Sequence, residues 1–256
     1  SLGAVNEDTA APSGATVTAL LGGAFSDPDN TYSPTDSLAG IAISGDASTA
    51  SQGVWQYSTD GSTWFDVGSV SSSSALLLAP TAKLRFVPAA DWNGTPGSLA
   101  VHPVDSTFGG SFTSGASRQT FDTAGAGGSS AVGASSVSVS TSIASVNDAP
   151  VFTSSAVSLS VADTSATDSY SALTGTITGS DSHGGAPNEG GTLTFGVSGG
   201  SVGGGSSTLA GTYGTLSINT STGAYSFTPD ATAINALGNG SNPTQSFTVT
   251  LTDGQT

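Results

Sequence analysis

The residues best suited to chemistry in this sequence are its carboxylates. Eighteen acidic residues stand against three basic ones, and the formal net charge is -15. Residues 147–256 contain seven Asp or Glu and no Lys or Arg. A cluster of these carboxylates must therefore stay solvated, be protonated or hold a metal ion. Asn147 and Asp148 add adjacent oxygen donors, and hard oxygen donors favour cations such as Ca²⁺.

The composition excludes other chemistries. The chain has no Cys, so disulfides and thiolate metal sites cannot form. Its negative charge repels phosphate backbones, which argues against nucleic-acid binding. The longest apolar run, residues 75–79, is far shorter than the ~18 residues that span a bilayer, so no membrane insertion is expected.

Catalytic motifs occur only as chance matches. Two overlapping Gly-x-Ser-x-Gly matches lie at residues 196–200 and 199–203, inside a Gly/Ser-rich run. The nucleophile elbow needs a strand that passes directly into a helix, and no helical pattern follows here. The two histidines, His102 and His183, lie in different halves of the chain. We therefore predict that the protein is not an enzyme.

The elements that must position the carboxylates are predicted to be β-strands. Gly, Ser and Thr fill 117 of the 256 positions, a bias that would suggest disorder on composition alone. However, apolar residues or Thr alternate with Ser at 136–143 and again at 157–161, which is the period of a half-buried strand. Further strands are predicted at 16–21, 38–44, 54–57, 84–87, 193–197, 214–218, 224–227 and 247–251, and one short helix at 231–237. This pattern predicts an all-β fold of antiparallel sandwiches.

The chain marks a boundary near its middle. Pro150 prevents the preceding segment from continuing as a strand, and Asn147 and Asp148 come just before it. At about 150 residues per domain, a chain of this length predicts two domains. We therefore predict tandem domains at 1–146 and 147–256, with a long Gly/Ser-rich loop at about 106–134 in the first.

Several motifs resemble those of known repeat families. The first domain resembles the cadherin-like repeats of very large bacterial surface proteins, at residues 5–9 (VNEDT), 55–64 (WQYSTDGSTW) and 84–96 (LRFVPAADWNGTP). The second resembles a VCBS repeat, a bacterial adhesin module, at residues 211–219 (GTYGTLSIN), 223–229 (GAYSFTP) and 247–254 (FTVTLTDG). The resemblance implies two tandem Ig/cadherin-like β-sandwiches in a secreted, repetitive protein similar to the RTX adhesins, often stiffened by Ca²⁺ at its joints.

The resemblance also implies a set of ligands. The cadherin linker reads Asp-x-Asn-Asp-Asn-x-Pro, which Asn147, Asp148 and Pro150 match, whereas Ser145 and Ala149 stand where Asp and Asn are expected. By this analogy a Ca²⁺ ion at the interdomain hinge takes its ligands from Glu7, Asp8, Asp105, Asn147 (backbone carbonyl), Asp148 and Asp181. Asp27 and Asp29 would face a joint with a preceding domain. Ordinary turns are the alternative explanation, because Asp-Pro-Asp-Asn and Asn-Asp-x-Pro are also turn sequences.

Together these features predict a non-enzymatic, extracellular structural or adhesion module of a bacterial cell surface or biofilm matrix. The predicted partners are neighbouring repeats, copies of the chain itself, and cell-surface glycans or matrix. Two alternatives stay open. One is a subunit that assembles into a filament or surface layer by strand complementation. The other is a carbohydrate-binding module, which needs an exposed Trp beside polar groups on one sheet face.

The second domain is also expected to lack its last strand. VCBS-like repeats continue beyond the Asp253-Gly254 turn into one more strand, whereas this sequence stops at Thr256. Such a sandwich exposes unpaired backbone groups along residues 247–251. If the chain is a natural subunit, we expect a strand from another copy, such as its residues 1–5, to complete the domain; if it is an excised fragment, we expect it to be marginally stable and prone to aggregate.

Overall fold

A computed structural model describes residues 1–23, 25–26, 35–164, 166–181, 191–238 and 241–255. The chain divides into two compact units, Ser1–Val146 (unit 1) and Asn147–Thr256 (unit 2). Both consist mainly of strands in antiparallel sheets, and the described residues include two α-helices of five residues each. The prediction of an all-β fold is confirmed.

Unit 1 is built from two main sheets. Its elements are β1 (Val5–Asn6), β2 (Ala15–Thr16), α1 (Val17–Leu21), β3 (Leu38–Asp46), β4 (Gly53–Ser58), β5 (Phe65–Asp66), β6 (Ala75–Leu78), β7 (Lys83–Pro88), β8 (Leu99–Asp105), β9 (Thr120–Phe121), β10 (Val137–Val139) and β11 (Ile143–Ala144). The strand orders are β10-β8-β3-β6-β9 and β2-β7-β4-β5. A third, two-stranded sheet pairs β1 with β11 in parallel, so residues 1–5, predicted to complete another copy, are bonded within their own unit through Leu2 N and Val5 N.

The main core of unit 1 joins side chains from both sheets. Ile41 and Leu76 of the five-stranded sheet share one buried cluster with Trp55, Leu84 and Phe86 of the four-stranded sheet, all between 0 and 1% exposed. Period-two alternation explains the division, because alternate residues of one strand point to the same face. The positions that face away from this core include Gln56, Lys83 and Arg85.

The five-stranded sheet is buried on its other face as well. Ala42, Leu77 and Val104 form a second buried cluster there, and Phe112 and Val132 from residues 106–134 belong to the same cluster. This explains why all four residues of β6 are apolar and buried. Residues 106–134, predicted to be a long loop, are largely irregular but include β9 and a 3-10 turn at Thr123–Gly125, and they cover a sheet face.

Unit 2 has one larger sheet and two strand pairs. Its elements are β12 (Val151–Phe152), β13 (Leu173–Thr176), β14 (Gly179–Ser180), β15 (Thr194–Val197), β16 (Ser201–Gly203), β17 (Ser206–Ala210), β18 (Gly214–Asn219), β19 (Ala224–Pro229), α2 (Ala231–Asn235) and β20 (Val249–Thr252). The five-stranded order is β13-β19-β18-β17-β16, and the pairs are β15-β20 and β12-β14. The core includes Phe195 and Val197 of β15 with Leu216 and Ile218 of β18.

Two predicted strands are wrong. Within the predicted strand at 16–21, residues 17–21 form α1, because the Thr16 hydroxyl accepts a hydrogen bond from Ala19 N at 3.1 Å and caps a helical turn. Residues 157–161 form no strand, and Val157 and Leu159 are 49% and 42% exposed. An alternating pattern needs a neighbouring strand to form a ladder, and no described strand pairs with this segment.

Candidate cation-binding site

One end of unit 2 gathers four polar residues from separate segments. Asp148 precedes β12 and Asp181 follows β14; because Val151 pairs with Ser180 in an antiparallel ladder, both aspartates lie at the same end of this strand pair. Asn147 Nδ2 donates to Asp253 Oδ2 at 2.7 Å, which places the residue after β20 at that end too. We call Asn147, Asp148, Asp181 and Asp253 the unit 2 acidic end.

The unusual feature of this end is the burial of its carboxylates. Asp181 is 1% exposed, and neither of its carboxylate oxygens has a hydrogen-bond partner among the described residues. The same holds for Asp148 Oδ2. No Lys or Arg exists in residues 147–256 to neutralise these groups. Three buried acceptor oxygens therefore lack any donor in the described part of the chain.

Asp253 differs from its neighbours because it is hydrogen-bonded. Its carboxylate accepts from Asn147 Nδ2 at 2.7 Å and from Gln255 N at 2.8 Å. These two bonds, the Asn147 amide first, hold the pKa of Asp253 below its usual range. Asp253 thus has a carboxylate that hydrogen bonds hold in place, unlike Asp181 and Asp148 Oδ2.

A second acidic set lies within unit 1. Glu7 is 1% exposed: its Oε1 accepts from Val146 N, and its Oε2 accepts from Asn93 Nδ2 at 3.2 Å. Asp91 N donates to Asp8 Oδ1 at 3.2 Å, and carboxylate oxygens of these two aspartates lie within 4.8 Å of each other. Both residues adopt positive φ, 61° at Asp8 and 56° at Asp91. The left-handed backbone, which Asp tolerates, brings these like charges together.

The other predicted ligands lie elsewhere. Asp105 ends β8, whereas the turn at residues 91–94 precedes the other end of that strand, which is about 20 Å long. Asp105 caps its own turn instead, accepting from Thr107 N at 2.7 Å and from the Thr107 hydroxyl at 2.5 Å. Asp27 and Asp29 fall outside the described residues.

Two residues of these sets were missed by sequence reasoning. Asp91 stands in the Asp-Trp-Asn-Gly turn before β8, and Asp253 stands in the Asp-Gly turn after β20. Both motifs are visible in the sequence, and both are typical turn sequences. The sequence does not show that the first turn contacts Asp8 or that the second contacts Asn147.

The arrangement at the unit 2 acidic end suits a hard divalent cation. Ca²⁺ takes six to eight oxygen ligands, including carboxylates and carbonyl oxygens. Asp148, Asp181, Asp253 and the carbonyl groups of Asn147 provide ligands of this kind. An ionised buried carboxylate without a partner is strongly disfavoured, and a bound cation would compensate the burial of Asp181.

The Gly-x-Ser-x-Gly matches do not have the geometry of a nucleophile elbow. Ser198 follows β15 in a turn, and Ser201 begins β16, so each lies in a strand–turn–strand segment rather than between a strand and a helix. His102 is largely buried on β8, with Nδ1 2.8 Å from the Gly133 carbonyl oxygen. His183 is outside the described residues.

Comparisons with protein-family models, with curated proteins and with solved structures find no match for this chain. The resemblance of the two halves to cadherin-like and VCBS repeats therefore stays a prediction. In the part of the chain that the structure describes, no helix is long and apolar enough to span a bilayer.

Proposed function

We propose that this chain is a non-enzymatic, Ca²⁺-binding structural or adhesion module made of two β-sandwiches. In each unit a buried core draws on more than one sheet, which supports the sandwich interpretation. The motifs that resemble bacterial adhesin repeats favour an extracellular setting. Abundant Ser and Thr with few Lys or Arg suit a solvated spacer.

The observation that carries this proposal is the Asp181 carboxylate. It is 1% exposed with two orphaned oxygens, and Asp148, at the same end of the β12–β14 pair, has a third. Without a cation, no donor or positive charge among the described residues compensates the burial of the Asp181 carboxylate. With Ca²⁺ bound, the burial becomes favourable, and the folded state of unit 2 depends on the ion.

Ca²⁺ fits this donor set better than other common ions. The chain offers no thiolate, and the described donors at this end are oxygens, a set that favours hard cations over Zn²⁺. Mg²⁺ prefers to keep several waters and needs near-octahedral geometry. Three carboxylates contributed by separate loops suit the flexible coordination of Ca²⁺.

Thermal unfolding in Ca²⁺ and in chelator tests the proposal. Ligand binding stabilises the folded state by RT ln(1 + [L]/Kd), so the Tm of the wild type should rise with Ca²⁺ concentration. Asp181→Asn removes the buried charge, so this variant should melt higher than the wild type in chelator and respond little to Ca²⁺.

Asp230→Asn is the matched control. It removes one charge from the same unit, and Asn keeps the N-cap of α2, where Asp230 now accepts from Thr232 N and Ala233 N. Its Ca²⁺ response should equal that of the wild type. The proposal would be contradicted if the Tm of the wild type did not change with Ca²⁺. It would also be contradicted if Ca²⁺ raised the Tm of Asp181→Asn as much as that of the wild type.

Self-assembly by strand complementation is the second candidate, favoured by a separate observation. β20 pairs with β15 along one edge, and no described strand pairs with its other edge. Val157 and Leu159 lie exposed in a segment with strand-like alternation and no ladder. An open strand edge and an unpaired alternating segment in one unit can pair between copies.

Sedimentation velocity over a concentration series tests this second candidate. The wild type should form oligomers or fibres, and Val157→Ser with Leu159→Ser should shift it to monomer. Val202→Ser is the control, because Val202 is 75% exposed on β16 at the edge of the other sheet. A wild type that stays monomeric at millimolar concentration excludes assembly by this route.

A further inference from the structure

The outward face of the four-stranded sheet in unit 1 collects the positive charge of the whole chain. Lys83 and Arg85 lie two residues apart on β7 and so point to one side, while Leu84 and Phe86 between and beyond them are buried in the core. Arg118 Nη1 donates to the main-chain oxygen of Asp66 on β5, at the sheet edge, at 3.4 Å. These are the three basic residues of the sequence.

None of the three forms an ion pair with a carboxylate among the described residues, although the chain contains eighteen acidic residues. Arg85 instead donates from Nε to Gln56 Oε1 at 2.8 Å and from Nη1 to the Pro12 carbonyl oxygen at 3.3 Å. Burial lowers the pKa of the Arg85 guanidinium. A partly desolvated cation without an anion gains from an anionic ligand.

The same face also has an aromatic ring, an amide group and a carboxylate group, from Trp64, Gln56 and Asp66. Arg85 Cζ lies 4.1 Å from the centroid of the Trp64 ring, a cation–π contact that orients an indole still partly exposed to solvent. Gln56 stands directly opposite Arg85 on one side and Asp66 on the other, and its Nε2 donates to Asp66 Oδ1 at 2.8 Å. Asp66, Gln56 and Arg85 thus form a polar row across three strands.

We propose that this face, formed by Trp64, Gln56, Asp66, Lys83 and Arg85, binds an acidic polysaccharide. An indole ring packs against the apolar C–H face of a sugar, and the planar amide and carboxylate groups match its hydroxyls. Arg85 and Lys83 supply the countercharge for a carboxylate or sulfate on the sugar. Trp64, partly exposed just before β5, thus lies beside the polar groups of this sheet face, as a carbohydrate-binding module needs.

The net charge of -15 does not oppose this assignment at physiological salt. Interactions between exposed charges are largely screened beyond about 8 Å at 0.15 M ionic strength, so nearby groups decide the local field. A second copy of the chain, whose residues 147–256 carry seven acidic and no basic side chains, is a competing anionic partner. The Trp64 ring and the Asp66–Gln56 pair favour a sugar over a carboxylate-rich protein surface.

Calorimetry and Trp fluorescence with polygalacturonate oligosaccharides test the proposal, with neutral dextran as the comparison ligand. The full chain should bind polygalacturonate in chelator, with affinity that falls as NaCl rises, and should bind dextran more weakly. Trp64→Ala should weaken binding about tenfold or more, and Lys83→Gln by a few-fold. Lys83→Gln keeps the test valid if Trp64→Ala fails to fold.

Phe152→Ala is the control, because it removes a 41% exposed aromatic ring from unit 2; its affinity should equal that of the wild type. Undetectable binding at millimolar ligand overturns the proposal. So does binding that requires Ca²⁺ and is lost in Asp181→Asn but not in Trp64→Ala, which would place the glycan at the unit 2 acidic end. Salt-sensitive self-association that Lys83→Gln abolishes, without glycan binding, would assign the face to a second copy.

Discussion

The turn after β4 is organised by the carboxylate of Asp60. It accepts hydrogen bonds from Ser62 N at 2.8 Å, Thr63 N at 2.7 Å and the Ser58 hydroxyl at 3.0 Å. These bonds, the Ser62 N–H first, hold the pKa of Asp60 well below its usual range. The Asp60 carboxylate thus accepts the backbone N–H groups of this turn and holds the loop that leads to Trp64.

The depressed pKa of Asp60 gives a pH-dependent prediction. A carboxyl group whose pKa is lower in the folded than in the unfolded state stabilises the protein above the unfolded value, about 3.9 for Asp. That contribution is lost as pH falls through the lower, folded pKa. Asp60→Asn should therefore lower Tm at pH 7, and the difference from the wild type should narrow only below about pH 4. A Tm difference that is constant from pH 7 to pH 2 would contradict this account.

At the scale of elements, the β18–β19 hairpin depends on one glycine. Gly223 has φ +69°, and a Cβ there would lie 2.1 Å from the Ile177 carbonyl oxygen. Gly204, in the turn between β16 and β17, has φ +59° and open space around the corresponding position. A side chain at Gly204 would meet only backbone strain, whereas one at Gly223 would meet both backbone strain and a steric clash.

Replacing each glycine with Ala measures the two effects separately. Gly204→Ala carries only the left-handed backbone penalty and should destabilise the protein by about 1–2 kcal/mol. Gly223→Ala adds a clash with main-chain atoms and should cost at least about 2 kcal/mol more, or prevent folding of unit 2. Urea unfolding gives both values. Equal losses would mean that the hairpin shifts freely away from Ile177.

The sequence predicts local elements well where the hydrogen-bond partner is a chain neighbour. The β18–β19 hairpin and the helix after Pro229 are confirmed, because Gly223 and the Asp230 N-cap determine them locally. Residues 157–161 were predicted wrongly, and the packing of residues 106–134 on a sheet face was not predicted, because both depend on contacts with distant strands. For the same reason the sequence indicates that Asp148 and Asp181 are oxygen donors, but not that burial leaves them without partners.

At the scale of the whole molecule, each unit has its own buried core. The clusters of unit 1 draw their members from residues 2–143, and that of unit 2 draws its members from residues 177–251. Separate cores predict separate cooperative transitions, since most folding free energy comes from burial within a core. The two units should therefore respond independently to core mutations.

Calorimetry of the full chain in chelator should show two transitions. Ile218→Ala, at a side chain that is 0% exposed, should destabilise unit 2 by about 2–5 kcal/mol and lower one transition only. Leu84→Ala, also 0% exposed, should lower the other transition by a similar amount. Addition of Ca²⁺ should raise the transition that Ile218→Ala lowers. A single transition that both variants shift equally would show that the chain unfolds as one unit.

The parallel pairing of β1 with β11 has a mechanical consequence for unit 1. The first strand is bonded to the last through Leu2 N to Ser140 O, Val5 N to Ser142 O and Glu7 N to Ala144 O, at 2.8 to 3.0 Å. A pull on the two ends of the unit drags these parallel strands past each other along their common axis. All three bonds are then loaded in shear at once, whereas a hairpin pulled at its open end releases its bonds one after another. The pairing of β1 with β11 should therefore provide the main resistance of unit 1 to stretching.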